Sequence, residues 1–127
     1  MLNIYRASAG SGKTFRLTKD YIHLLFNPKK ERTHRRILAV TFTNKATDEM
    51  KTRILKELHA LSQGEKSAYR QGLMKEFEMS EEVVNDRARK ILTTILHDYS
   101  SFTISTIDRF FQQVIRYVTI TLAHTVH

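Results

Sequence analysis

The chain has 127 residues, 41% hydrophobic and 27% charged, which suits one globular domain with a buried core and excludes intrinsic disorder. It has no cysteine, which excludes a disulfide framework and a thiolate metal site; it has no apolar run of membrane-spanning length and no signal-peptide layout, so a cytoplasmic protein without a membrane partner is expected. A formal net charge of +8, from 21 Lys and Arg against 13 Asp and Glu, favours a polyanionic partner, either a nucleic acid or a nucleotide.

The first element read along the chain is a strand over residues 2–7, rich in strand formers. It runs into Ala7-Ser8-Ala9-Gly10-Ser11-Gly12-Lys13-Thr14, and a helix over 13–26 follows. This fits the phosphate-binding pattern G-x-x-x-x-G-K-[ST], with Ala7 where the first glycine is usual. A strand, a glycine-rich turn and a helix N-terminus are what the chemistry needs. Backbone N–H groups line an anion site, and the helix dipole adds positive potential. Gly10 and Gly12 let the backbone approach the phosphates. Lys13 would reach the β- and γ-phosphates, and the Thr14 hydroxyl would hold Mg²⁺. The loop identifies a nucleoside triphosphate site; it does not identify a reaction.

In the helix, Leu17, Tyr21 and Leu24 share one face, and Pro28 closes it. The basic run from Lys29 to Arg36 reads as a solvated loop rather than a DNA-contacting patch. Residues 37–42 form a short, nearly continuous apolar strand, as in a parallel sheet buried on both faces. Beyond it come Thr41, Phe42, Thr43, Asn44 and Lys45. In an open parallel sheet ligands bind past the carboxyl ends of the strands. Small polar groups, a helix N-terminus and a lysine there suit nucleic-acid phosphates, and Phe42 offers a stacking face for a base.

A second helix starts at Lys45 and carries Met50, Ile54, Leu58 and Leu61 on one side. The polar stretch 65–79 predicts a short helix with a break near Gly72. Ser80 is placed to cap a further helix, with Val84, Ala88, Ile91, Ile95 and Tyr99 as its stripe. A third strand over 102–106 repeats the earlier layout with Ser105, Thr106 and Asp108, Asp108 being equally suited to capping the next helix. That helix, 107–118, places Ile107, Phe111, Val114 and Val118 on one side. All of these stripes read as core. His124 and His127 read as a frayed end rather than a metal pair, because histidine pairs lacking further ligands rarely hold zinc.

Three motifs in this order resemble the superfamily 1 DNA helicases of the UvrD/Rep type, including the AddA and RecB helicase-nuclease subunits. Members carry A-x-A-G-[ST]-G-K-T, which accounts for Ala7. They also carry T-F-T-N-K-A-A-x-E-M, matched from Thr41 to Met50 with Thr47 as the exception, and [FI]-x-[ST]-T-[FI]-[HD]-x-F, matched from Ile104 to Phe110. The resemblance covers residue 3 to about residue 116. It implies an α/β P-loop NTPase fold of the RecA-like type: a three-layer parallel sheet with helices on both faces, incomplete here. Residues 1–127 would be the N-terminal part of the first RecA-like ATP-binding domain, with a helical insertion at about 63–100. It further implies ATP and Mg²⁺ at Ala7–Thr14. Thr41, Phe42, Thr43, Asn44 and Lys45 would contribute to a single-stranded DNA track, and Ser105, Thr106 and Asp108 would add to the DNA contact or to the link between DNA and the ATP site. The rest of the helicase, or a nuclease partner subunit, would be a partner.

The departures set expectations too. Many members carry a glutamine-bearing segment that reads adenine ahead of the first strand, where this chain has Met1 and Leu2, so adenine selectivity is unassigned. No apolar strand ends in Asp-Glu: Asp48-Glu49 lies inside the second motif and Glu81-Glu82 opens a helix. The carboxylates that hold Mg²⁺ and orient the attacking water are therefore missing, and no residue here is assigned a catalytic role. The second RecA-like domain is missing as well. From Arg116 onward the family pattern is lost, as in a truncation or a shifted reading frame. Such a chain is expected to bind ATP without hydrolysing it or unwinding DNA. The alternatives are a non-enzymatic nucleotide- or DNA-binding remnant and another P-loop enzyme such as a kinase. A GTPase is disfavoured, since Asn44-Lys45-Ala46-Thr47 lacks the aspartate that reads guanine.

Overall fold

The structure, a computed structural model, describes residues 4–7, 11–29, 33–35 and 37–126; of residues 4–7, 11–14, 33 and 124–126 it describes the backbone alone. The elements run β1 (Ile4–Ala7), α1 (Ser11–Leu25), β2 (Leu38–Thr41), α2 (Asn44–Ser62), α3 (Arg70–Phe77), α4 (Glu81–His97), β3 (Ile104–Thr106) and α5 (Ile107–Val126). Short 3₁₀ turns at Thr33–Arg35 and Tyr99–Ser101 lead into β2 and β3. The strands form one parallel sheet in the order β1-β2-β3. Parallel neighbours need a crossover, which α1 supplies between β1 and β2, and α2, α3 and α4 supply between β2 and β3.

The core lies where α1, α2 and α4 meet one face of the sheet. Met50, Ile54, Leu58 and Leu61 are fully buried along α2, and Leu17, Tyr21, Ile22 and Leu25 bury the facing side of α1, with Phe26 just beyond its end. Ala39 and Ile104, paired across β2 and β3, belong to the same cluster, and Val84, Ala88 and Ile95 bring α4 onto it. The Tyr21 ring meets Phe102 edge-on at 5.8 Å, and burial pushes the Tyr21 hydroxyl well above its ordinary pKa.

Three expectations are corrected. The helix over 70–77 runs through Gly72 without a break; the turn comes at Glu78, whose backbone is left-handed (φ 51°, ψ 47°). Fully buried Leu73 holds the helix across the glycine, and the His23 ring packs 3.4 Å from where a Gly72 Cβ would stand. Tyr99, expected in the α4 stripe, is 47% exposed because α4 ends at His97. On α5, Phe111, Val114 and Val118 face solvent rather than a core, and the helix continues past 118 to Val126. By contrast Ser80 caps α4 as expected, its hydroxyl accepting the Val83 N–H at 3.3 Å.

Several arginines close helix ends. Arg87 of α4 donates from Nε to the Phe26 carbonyl (2.9 Å) and from Nη2 to the Asn27 carbonyl (2.8 Å), at the C-terminus of α1. Arg70, only 8% exposed, reaches the Leu61 and Glu65 carbonyls at the end of α2. Arg89 donates to the Ser62 carbonyl at 3.1 Å. Terminal carbonyls have no partner within their own helix, and the negative end of the dipole favours a cation there.

At the amino end of the sheet, Asp98 gathers Arg35, His34 (3.0 Å) and the Ser101 hydroxyl (3.1 Å). The hydrogen bond from Arg35 is the main reason its carboxyl titrates well below the ordinary range, at about 2, and the bonds from His34 and Ser101 add to it. His34 is buried.

Two predictions concern these contacts. Arg87→Ala removes two charge-assisted hydrogen bonds and lowers unfolding free energy by about 2 kcal/mol, measured by urea denaturation. Asp98→Asn lowers the thermal midpoint at neutral pH. A carboxylate with a depressed folded-state pKa stabilises fully above its unfolded value, about 4, and that stabilisation fades as pH falls through about 2. The difference between parent and variant therefore shrinks across that window.

Candidate functional site

The register of the sheet brings the three sequence motifs together. Ala7 at the end of β1 pairs with Thr41 at the end of β2, and Thr41 pairs with Thr106 at the end of β3. Neighbouring strands lie about 4.8 Å apart, so the three motifs leave the sheet side by side along its carboxyl edge.

Of the phosphate-loop residues, Ser11, Gly12, Lys13 and Thr14 form the first turn of α1. Ser8, Ala9 and Gly10 lie outside the described residues, as do the side chains of Ala7 and of residues 11–14. The described backbone fits the loop's requirement: strand β1 ends at Ala7 and a helix begins at Ser11, with no acidic residue in its first turn. A carboxylate there would cancel the positive end of the dipole that an anion needs.

At the second motif only Phe42 and Thr43 separate β2 from α2. Thr43 is the N-cap, in extended backbone (φ −135°, ψ 156°), and its hydroxyl accepts the Ala46 N–H at 3.0 Å. Asn44 and Lys45 follow in the exposed first turn, which again carries no acid. Phe42 is 46% exposed. Thr41 is buried, and its hydroxyl is held inside, 2.6 Å from that of Thr47 and within reach of the Thr43 and Ser105 carbonyls at 3.2 and 3.4 Å.

At the third motif Ser105 is buried beside Thr41, its hydroxyl bonded to the Thr106 carbonyl at 3.2 Å. The Thr106 hydroxyl accepts the Arg109 N–H at 3.3 Å, so Thr106 rather than Asp108 caps α5. Asp108 stands exposed in the first turn of α5, where its charge complements the dipole. The edge thus presents Phe42, Thr43, Asn44, Lys45 and Asp108 outward, with Thr41 and Ser105 behind them.

Two contacts have no counterpart in the motif reading. Phe15, next after Thr14, stacks on Tyr69 with ring centroids 5.1 Å apart and planes 20° from parallel. This ties the first turns of α1 to the residue preceding α3. Tyr69 sits in the polar stretch 65–79, where no periodicity marks it as buried. The other is Thr47, visible in sequence only as a departure from the pattern. The basic run divides: Arg35 pairs with Asp98 and His34 is buried, whereas Lys29 is exposed; Lys30 to Arg32 and Arg36 lie outside the described residues.

Among the described residues no cluster of three or more His, Asp or Glu is arranged to hold a metal, and no helix is long and apolar enough to cross a membrane. His127 and the His124 side chain lie outside the described residues. An open cleft of about 750 Å³ between α1 and α3 is lined by residues of the later turns of α1, among them Lys19 and His23, away from the motif edge.

Residues 3–123 match the UvrD/REP helicase N-terminal domain. An ATP-dependent helicase/nuclease subunit from Natranaerobius thermophilus is 48% identical over 58 residues, covering 45% of this chain and 4% of that protein. The RecBCD enzyme subunit RecB of Chlamydia muridarum is 48% identical over 52 residues, 41% of this chain and 5% of that one. A probable DNA helicase II homolog of Mycoplasma genitalium is 44% identical over 55 residues, 43% of this chain and 8% of that one. The matched stretch therefore spans less than a tenth of these relatives' length. No solved structure matches. With the match running through all three motifs that the sheet aligns on one edge, the chain belongs to the UvrD/REP helicase N-terminal domain family.

Proposed function

We propose that this chain is the ATP-binding portion of an ATP-dependent DNA helicase or translocase acting in repair or recombination, and that residues 1–127 form the N-terminal part of its first RecA-like domain. The observation that carries the reading is the Ala7–Thr41–Thr106 row, which sets a phosphate loop and two polar strand ends on one edge. A ligand spanning that edge would touch all three motifs. In this reading Ala7–Thr14 cradles the phosphates of ATP, with Lys13 on the β- and γ-phosphates. The Thr14 hydroxyl would hold Mg²⁺, which would neutralise charge on the phosphates.

The neighbouring edge is the single-strand track. Phe42 offers its ring to a base, while Thr43, Asn44 and Lys45 meet backbone phosphates at the start of α2. Thr41 and Ser105 back this surface, and Thr106 and Asp108 extend it toward α5. The adjacency of the two sites on one edge supports coupling of nucleotide state to grip on the strand. The sequence contains no apolar strand closing on Asp-Glu, so the chain by itself binds ATP without turning it over. A cytoplasmic location, and a partner in the form of further helicase domains or a nuclease subunit, go with this reading.

Calorimetry with ATP and Mg²⁺ tests the phosphate site: Lys13→Ala weakens binding by about tenfold or more, the loss of a charge-assisted contact, and equal affinities for the two proteins refute the assignment. Turnover by the isolated chain stays at background with or without single-stranded DNA; robust stimulated hydrolysis refutes the claim that it only binds. Affinity for a labelled single strand falls steeply with salt, is indifferent to sequence, and drops about tenfold in Phe42→Ala.

A further inference from the structure

The link between β2 and α2 is held by a pair of threonine hydroxyls. Thr41 Oγ1 and Thr47 Oγ1 stand 2.6 Å apart, so one donates its proton to the other. The remaining proton goes to a backbone carbonyl: that of Thr43, 3.2 Å from either hydroxyl, or that of Ser105, 3.4 Å from Thr41. Either assignment leaves both hydroxyls satisfied. The Thr43 carbonyl also accepts the Thr47 N–H at 3.1 Å, while the Thr43 side chain takes the Ala46 N–H at 3.0 Å. Both ends of Thr43 are thereby fixed to the first turn of α2. Thr41 is fixed on its other side by the strand pairings to Ala7 and Thr106. Phe42, 46% exposed, lies between these two anchored residues.

We propose that Thr47 is a positioning residue for single-strand binding: its hydroxyl, through Thr41 and the Thr43 carbonyl, fixes the backbone on both sides of Phe42 and so sets the direction of the stacking ring. The proposal rests on the reading of Phe42 as a base-stacking face. Thr47 touches no strand itself. Without its hydroxyl, Thr41 still has the Thr43 and Ser105 carbonyls as acceptors, so Thr47→Ala creates no buried unsatisfied group. Alanine is also the better helix former, so the substitution does not weaken α2. The variant therefore folds, and what it loses is the hydroxyl bridge from α2 to Thr41 and to the Thr43 carbonyl.

The test uses the full chain, a fluorescein-labelled oligo-dT strand read by anisotropy, and hydrogen exchange of the segment 40–50. Thr47→Ala and Thr47→Val weaken binding about three- to tenfold, the scale of one lost hydrogen bond, while Thr47→Ser stays within about twofold of the parent. Amide exchange rises within Phe42–Thr47 in the first two variants and not in the third. Parent-like affinity in Thr47→Ala, or unchanged exchange in that segment, overturns the proposal. A parent chain that fails to bind oligo-dT refutes the single-strand reading and the positioning role with it. If Phe42→Ala weakens binding and Thr47→Ala does not, the reading of Phe42 stands and the role of Thr47 falls.

Discussion

Strand β2 pairs on both sides, and the register of those pairings governs everything that follows from this fold. A parallel strand hydrogen-bonded to two neighbours cannot slip by one residue without exchanging the side chains on its two faces, and in β2 both faces are buried, at Ala39 and Thr41 on one and Val40 on the other. Ala39 must face the helical core with Ile104 beside it, and that requirement fixes Thr41 opposite Ala7 on one side and Thr106 on the other. The motif-bearing turns inherit their positions from this packing. The end of β1 and two polar turns, far apart in sequence, share an edge because Ala39 and Ile104 share a core and β1 pairs in register with β2.

The charge of the chain is distributed less simply than its net value suggests. A surplus of +8 invites a reading of broad attraction to polyanions. Yet Arg70, Arg87 and Arg89 bind helix-end carbonyls, and Arg35 is paired with Asp98. These arginines fasten the α3–α4 segment to the ends of α1 and α2 and brace the entry to the sheet. Among the described side chains at the motif edge, Lys45 stands exposed in the first turn of α2 and Arg109 in the first turn of α5. The first turns of α1 and α2 carry no acid, which leaves their positive dipole ends uncancelled, whereas Asp108 in the first turn of α5 opposes an anion at that end of the edge.

Much of the architecture is legible in the sequence. The alternation of strands and helices, the fully buried stripe Met50, Ile54, Leu58 and Leu61, and the Ser80 cap all follow from periodicity and local hydrogen-bonding chemistry. Periodicity failed where burial depends on a neighbour. Phe111, Val114 and Val118 share one face of α5, as the spacing predicts, but an apolar face becomes core only when another element covers it, and no described element covers this one. Gly72 failed as a helix breaker for the converse reason. Glycine weakens a helix by about 1 kcal/mol, and burial of Leu73 outweighs that. At the candidate site, the residue types and their order were readable. The inward turn of Thr41 and Ser105, the Phe15–Tyr69 stack and the capping of α5 by Thr106 were not.

By itself, the sequence determined the chemistry on offer: a glycine-rich loop with Lys13 and Thr14, two polar strand ends with an aromatic at Phe42, and helices whose apolar stripes demand a sheet to cover. Local physics suffices for these, because dipoles, caps and side-chain periodicity act over a few residues. Tertiary structure decided which of these groups face outward together. Strand register set the row from Ala7 through Thr41 to Thr106, and packing against Ser105 turned Thr41 inward while leaving Phe42 at the surface. Such outcomes depend on contacts between residues tens of positions apart, which no local pattern encodes.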